Sequence, residues 1–193
     1  MEKKLNCFIS IKYTIFVLHL ILYFKITQMR SLENFSKIKV TTLAGYILKY
    51  FGPMSHLKLQ KLLYYCQAYH LANFKTELFE EDFEAWVHGP VCRPVYNIIR
   101  GKSILYSDVE YSEYDFDSEI ILQEAISSEQ FNLLNDVLKP LSTWSGSELE
   151  TATHNETPWI KARGSKKPNE NCTEIISKDE MLEYYTNEIN GWQ

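Results

Sequence analysis

The sequence contains no C-x-x-C pair, and its four cysteines, Cys7, Cys66, Cys92 and Cys172, lie far apart. That excludes a zinc ribbon and a dense disulfide framework, so the thiols read as reduced, as in a cytoplasmic protein. Neither a P-loop nor a G-x-G-x-x-G run is present, so nucleotide binding has no motif behind it and no cofactor is expected. Positive charge is in deficit: 20 Lys and Arg stand against 25 Asp and Glu, a net charge of -5. A chain that grips nucleic-acid phosphates carries the opposite balance, so no direct nucleic-acid contact is expected. Internal repeats, glycine-rich linkers and low-complexity tracts are also missing.

What is present suits one packed domain. Over 193 residues, 45% are hydrophobic and 14% aromatic, enough apolar surface to offset the entropy of ordering a single core. One long apolar run, YTIFVLHLILYF at 13–24, stands between Lys12 and Lys25. It is shorter than the ~20 residues that carry a helix across a bilayer, and the KITQMRS that follows offers no small-residue cleavage site. Three readings stay open for residues 1–28: sequence upstream of a true start at Met29, a membrane or interfacial anchor, or an extra helix. The domain proper is expected over 29–193, with its pattern beginning near Ser36 and no membrane association of its own.

Val40, Leu43, Ala44, Ile47, Leu48 and Phe51 share one helical face, and Gly52-Pro53 ends that helix. Ser55 caps a second, with Leu59, Leu62, Leu63, Cys66 and Tyr69 at the same period, and the two helices form a hairpin. Phe83 to Val87 alternates with period two and His88-Gly89-Pro90 breaks it, a short strand and a turn. Pro94 suits the first turn of a brief helix with Val95, Ile98 and Ile99 inward and Gly101 as its stop. Residues 107–119 carry six acids and no base, the pattern of a solvated loop. Helices are expected after Ser128, from Ser147, and from Ser177, where S-x-x-E to Glu180 is a capping box ahead of Leu182, Tyr185 and Ile189. Lys161 to Asn171 reads as an exposed loop. The expectation is a mainly α, single compact helical domain with a small β element around residues 78–91.

Three segments in order, LKLQKLLYYCQAYHLA at 57–72, FEAWVHGPVCRPVY at 83–96 and ELETATHNETPWIKAR at 148–163, resemble the Panacea family of SocA-like antitoxins and phage-associated GepA-like proteins. With the closing IISKDEMLEYY at 175–185, the likeness covers most of the chain and omits residues 1–35. It implies a binding protein, not an enzyme, from a bacterial or phage toxin–antitoxin pair, whose partner is a toxin encoded by an adjacent gene. Direct neutralisation is the mode the resemblance implies first. Delivery of the toxin to the ClpXP protease is the second, since one SocA-like member works as such an adaptor. Cys92 and the long acidic run depart from the family pattern and bear on partner choice more than on fold.

The family-motif residues are also the candidates for a toxin interface. Lys58 and Lys61 fall on one side of the second helix and its leucines on the other, an amphipathic pattern in which Gln60, Lys61 and Tyr64 offer a contact surface. Trp86, Gly89 and Pro90 read as architecture, a large ring pinning a strand and two residues shaping its turn, with Tyr96 following. His154, Glu156, Pro158 and Trp159 form the most enzyme-like group. An imidazole and a carboxylate two residues apart suit acid–base work if both face a cleft, which gives the alternative of a hydrolase or metal-dependent enzyme, with His88 as a further proton donor. Against it, no nucleophile accompanies them, and His154 more simply closes a helix while Pro158-Trp159 docks. Cys66 and His70, at i and i+4, supply two ligands, short of a metal site. The acidic, aromatic run suits a basic toxin.

Overall fold

The computed structural model describes residues 37–100, 106–111 and 118–191, all within one compact unit, Phe35–Gln193. The three readings of residues 1–28, the stop at Gly101 and residues 112–117 of the acidic run lie outside the described residues. Among those described there are eight helices and two small antiparallel sheets, a mainly α fold as expected. No helix among them is long and apolar enough to cross a membrane.

Helix α1 (Val40–Phe51) buries Val40, Leu43, Ala44, Ile47 and Leu48, the face its spacing marks, and ends at Gly52. A two-residue strand β1 (Met54–Ser55) leads into α2 (His56–Phe74), whose first turn is capped by the Ser55 hydroxyl accepting from Lys58 N. Helix α2 is the axis of the fold, with α1, α5, α6, α8 and β3 of the elements below packed around it. Of its 19 residues, 16 are buried, Gln60, Lys61, Gln67 and His70 at 0–2% exposure. The amphipathic reading is therefore corrected: Lys58 is half-buried and Lys61 has no solvent contact. Counting polar residues as solvent-facing fails for a helix enclosed on every side.

Polar groups survive in that interior because each takes up backbone groups that chain turns would otherwise leave unpaired. The Gln67 amide donates to Phe79 O (2.9 Å) and accepts from Leu78 N (2.9 Å). His70 Nδ1 lies 2.8 Å from Thr76 O, and Nε2 lies 2.7 Å from Gln130 Nε2. One tautomer satisfies both contacts: Nδ1 donates to the carbonyl and Nε2 accepts from the amide. Both ring nitrogens are thus engaged in hydrogen bonds.

Strands β2 (Phe83–Trp86) and β3 (Gly89–Cys92) form a hairpin in the register Phe83↔Cys92 to Trp86↔Gly89. Gly89 and Pro90 thus open a strand, where the sequence suggested a turn. The outer edge of β2 pairs with residues 174–176, through Ala85 N to Glu174 O (2.9 Å) and Ile176 N to Phe83 O (2.8 Å). The edge of β3 is closed by a side chain: the Gln60 amide accepts from Cys92 N (2.8 Å) and faces Cys92 O (3.4 Å), as a neighbouring strand would. Both edges of this hairpin are thus occupied by other parts of the chain.

Helix α3 (Arg93–Ile99) carries Pro94 in its first turn and buries Val95 and Ile99; Ile98, expected inward, is 39% exposed. Asp108 and Val109 form β4, paired with β1, and Val109 is fully buried, so this part of the acidic run is not solvated loop. Helix α4 (Ser118–Ala125) was not visible in the pattern. In α5 (Ser128–Leu141) the cap is Ser127, boxed with Gln130, and in α6 (Gly146–His154) it is Ser145, boxed with Glu148. Helix α7 (Thr157–Arg163) takes in the start of the presumed 161–171 loop, with Pro158 in its first turn. Helix α8 (Lys178–Gly191) follows Ser177, whose hydroxyl accepts from Glu180 N (3.4 Å), and it buries Met181 and Tyr185 against α2.

Candidate functional site

Folding brings Lys61, Trp86, Gly89, Pro90, His154 and Trp159 together at the turn end of the β2–β3 hairpin, whereas Gln60 and Tyr64 lie at its other end. Lys61 Nζ, fully buried, donates to Pro90 O at 3.1 Å. Gly89 (φ +90°) lies so close that a Cβ there would stand 2.5 Å from Lys61 Cε and 2.9 Å from Thr153 Oγ1. α2, β3 and α6 thus meet in a contact that leaves no room for any side chain at 89. Burial pushes the Lys61 amine down to about 7, and the Glu150 charge opposes that only in part. Glu150 itself is mostly covered, at 18% side-chain exposure, and lies 2.8 Å from Nδ1 of His88, a half-exposed ring.

Beside this contact, Trp159 Nε1 donates to Trp86 O (3.1 Å), tying α7 to the hairpin. The His154 ring stacks on Trp159 with centroids 4.1 Å apart and planes at 17°. Its Nε2 is buried and finds no hydrogen-bond partner among the described residues. Burial lowers the affinity of this ring for a proton. Glu156 looks elsewhere: its carboxylate accepts from Tyr65 (2.9 Å) and Tyr185 (2.6 Å). Burial raises its pKa, with the two phenols opposing the rise. His154 and Glu156 are thus committed to different neighbours and form no acid–base pair with each other.

Trp86 donates from Nε1 to Glu84, which also accepts both arms of the Arg93 guanidinium; that guanidinium lies over the Trp86 ring. Tyr96 packs on Trp86 (4.7 Å) and stacks on His56 (5.4 Å). His56, held by Gln60, is pushed down to about 4 by burial. The hydroxyl-bearing ring of Tyr64 is wholly enclosed between Phe83 and Tyr185. Gln60, Lys61 and Tyr64 therefore offer no surface, which corrects the contact face expected of them; Trp86 and Tyr96 are half-buried, and Pro158 and Trp159 buried. Cys66 is sealed in the core with its thiol pushed up. Among the described residues no group of three or more His, Cys, Asp or Glu is placed to hold a metal ion.

A family model described as antitoxin SocA-like, Panacea domain, matches residues 59–160, more than half of the chain. The chain belongs to that family. No curated protein and no solved structure matches it. The Panacea match runs from α2 into α7 and includes all the motif residues from Gln60 to Trp159. Two residues that complete the Panacea core lie beyond its end, Arg163 and Tyr185. Arg163, buried, donates to Ala85 O (3.0 Å), Lys167 O (2.7 Å) and Glu170 O (2.8 Å), and lies over Trp159. Composition marks 161–171 as loop, and no spacing in the sequence announces that its one arginine turns inward.

The Panacea tyrosine–carboxylate contact makes a testable statement about pH. A carboxylate whose pKa is raised by folding stabilises the fold fully below its unfolded value, near 4.5, and that stability is lost as pH rises through the folded value. Urea unfolding of wild type and E156Q from pH 4 to 8 is expected to show wild type losing stability relative to the Gln variant as pH rises. A constant difference would refute the assignment.

Proposed function

We propose that this Panacea-domain protein is a cytoplasmic antitoxin that neutralises a toxin encoded by an adjacent gene through direct protein contact, with no catalytic step of its own. Family membership supports the antitoxin role in general, and an antitoxin implies a toxin partner. The observation that carries the binding reading over a hydrolase is the commitment of His154 to Trp159 and of Glu156 to Tyr65 and Tyr185. Side chains locked in this way build a rigid scaffold and leave neither group oriented toward a substrate. What the scaffold presents lies on α6 and beside it. Trp144 is 42% exposed and, with Ser147 and Thr151, lines a shallow groove of about 470 Å³; Tyr106 is 62% exposed next to His88. Large exposed rings of this kind serve as anchors in protein interfaces. On this reading Gln60, Lys61 and Tyr64 act by shaping the scaffold.

The test is expression of the adjacent reading frame alone and together with this chain. Growth arrest relieved by co-expression, with the two proteins purifying together, is the expected result. An arrest that persists despite soluble protein would overturn the proposal. Toxin half-life separates the two modes: blocking leaves it unchanged in cells with and without ClpXP, whereas delivery shortens it only where the protease is present.

A further inference from the structure

Lys61 has an unusual setting for a cation. It is fully enclosed by α2, β3 and α6, with one hydrogen-bond partner among the described residues, the uncharged carbonyl of Pro90, and with the Gly89 Cα packed on its Cε. An ammonium there would leave N–H groups without acceptors, which a neutral amine largely avoids. The charged and titratable groups facing the contact are few. From α2 there is His56, from the hairpin turn His88, from α6 Glu150 and His154, and from α7 Arg163, which acts through His154. Glu150 supplies the only negative charge among them and is itself bridged to the half-exposed His88. His154 adds a buried ring nitrogen with no partner among the described residues.

We infer that Lys61, Gly89-Pro90 and Thr153 form a proton-operated latch: the neutral amine holds the hairpin turn and α6 against α2, and its protonation loosens them. Glu150 sets the threshold, because its carboxylate supplies the charge that reaches the amine and is linked to the outside through its contact with the half-exposed His88. A partner that places a cation on Glu150 weakens the hold of Lys61 on its proton and so tightens the latch; by reciprocity, the closed latch favours that partner. The latch rests on the enclosure of Lys61 and its single carbonyl contact, and is independent of the antitoxin reading.

An amine that is neutral when the contact is closed and ammonium when it is open to water takes up a proton on opening. Opening is therefore promoted as pH falls from the ordinary lysine range toward 7 and levels off below that. Amide hydrogen exchange on the full chain, corrected for the intrinsic pH dependence of exchange, reads this directly. Protection of 86–92 and 146–154 is expected to rise at least about tenfold between pH 7 and 9. In K61M, which keeps the length of the side chain and loses the proton, the same protection is expected to be flat. E150Q keeps the fold and is expected to move the midpoint of Lys61, followed through its Cε resonance, to lower pH. A Lys61 midpoint above 9, a wild-type profile matched by K61M, or an unmoved midpoint in E150Q would each overturn the latch.

Discussion

Gly89→Ala is expected to lower unfolding stability by about 3 kcal/mol. Roughly 1–2 kcal/mol of that comes from forcing a side chain into positive φ, and roughly 1–3 kcal/mol from overpacking. The backbone at 89 has φ +90°, and the new Cβ meets Lys61 Cε at 2.5 Å and Thr153 Oγ1 at 2.9 Å. A lysine tip normally swings aside cheaply. This one cannot, because it is fully buried and its amine is bonded to the very next residue, Pro90. Gly52 provides the control: its φ is also positive, at +81°, but nothing lies within 4 Å of a Cβ there. Gly52→Ala should cost only the backbone term, roughly 1–2 kcal/mol. Urea denaturation of both variants checks the pair, and equal losses would show that the chamber around Lys61 is not tight.

Arg163→Ala is expected to cost about 3 kcal/mol, since hydrogen bonds to a charged group are worth roughly 1.5–3 kcal/mol and a buried carbonyl left unpaired costs roughly 1–3 kcal/mol. The guanidinium spans two layers, reaching Ala85 O in β2 with one arm and the carbonyls of Lys167, Pro168 and Glu170 with the other. Its removal leaves a strand carbonyl unpaired in the interior and releases 164–171 from the Trp159 ring it covers. Limited proteolysis should therefore nick that segment at least about tenfold faster than in wild type, since opening free energy governs cleavage. Arg163→Lys should recover little, because one ammonium cannot fan across acceptors on both sides. Recovery to wild-type stability with Lys would mean that charge, not the forked geometry, is what holds the segment. Both variants are expected to lose toxin neutralisation in proportion to the folded fraction that remains, since neither residue lies on the presented surface.

The helical elements were legible because a 3.6-residue apolar period and local capping are properties of consecutive residues. Val40 to Phe51, the Ser55 cap, Pro94 and the Ser177 cap all stand close to where spacing puts them, although Glu180 turns its carboxylate to Lys161 and leaves the Ser177 box half made. Errors of one or two residues at Ser127 and Ser145 arose where adjacent serines compete for the cap. Helix α4 and β4 escaped notice for a related reason, since short elements in a strongly acidic stretch carry too little pattern to announce themselves.

The sequence by itself determined a mainly α chain, the extent of its long helices, a short strand ending near Trp86 and a family likeness that the match over 59–160 bears out. Only the tertiary structure decided which polar residues face water. Periodicity assigns Lys61 and Gln60 to a wet side, yet α2 has no wet side there, because β3 and α6 cover it. It likewise assigns His154 and Glu156 to a common task, although each turns to a different neighbour. The physical reason is the same in both cases. Burial and pairing depend on what segments distant in sequence bring alongside, such as Gly89 against Lys61 or Tyr185 against Glu156, and no local pattern records those meetings.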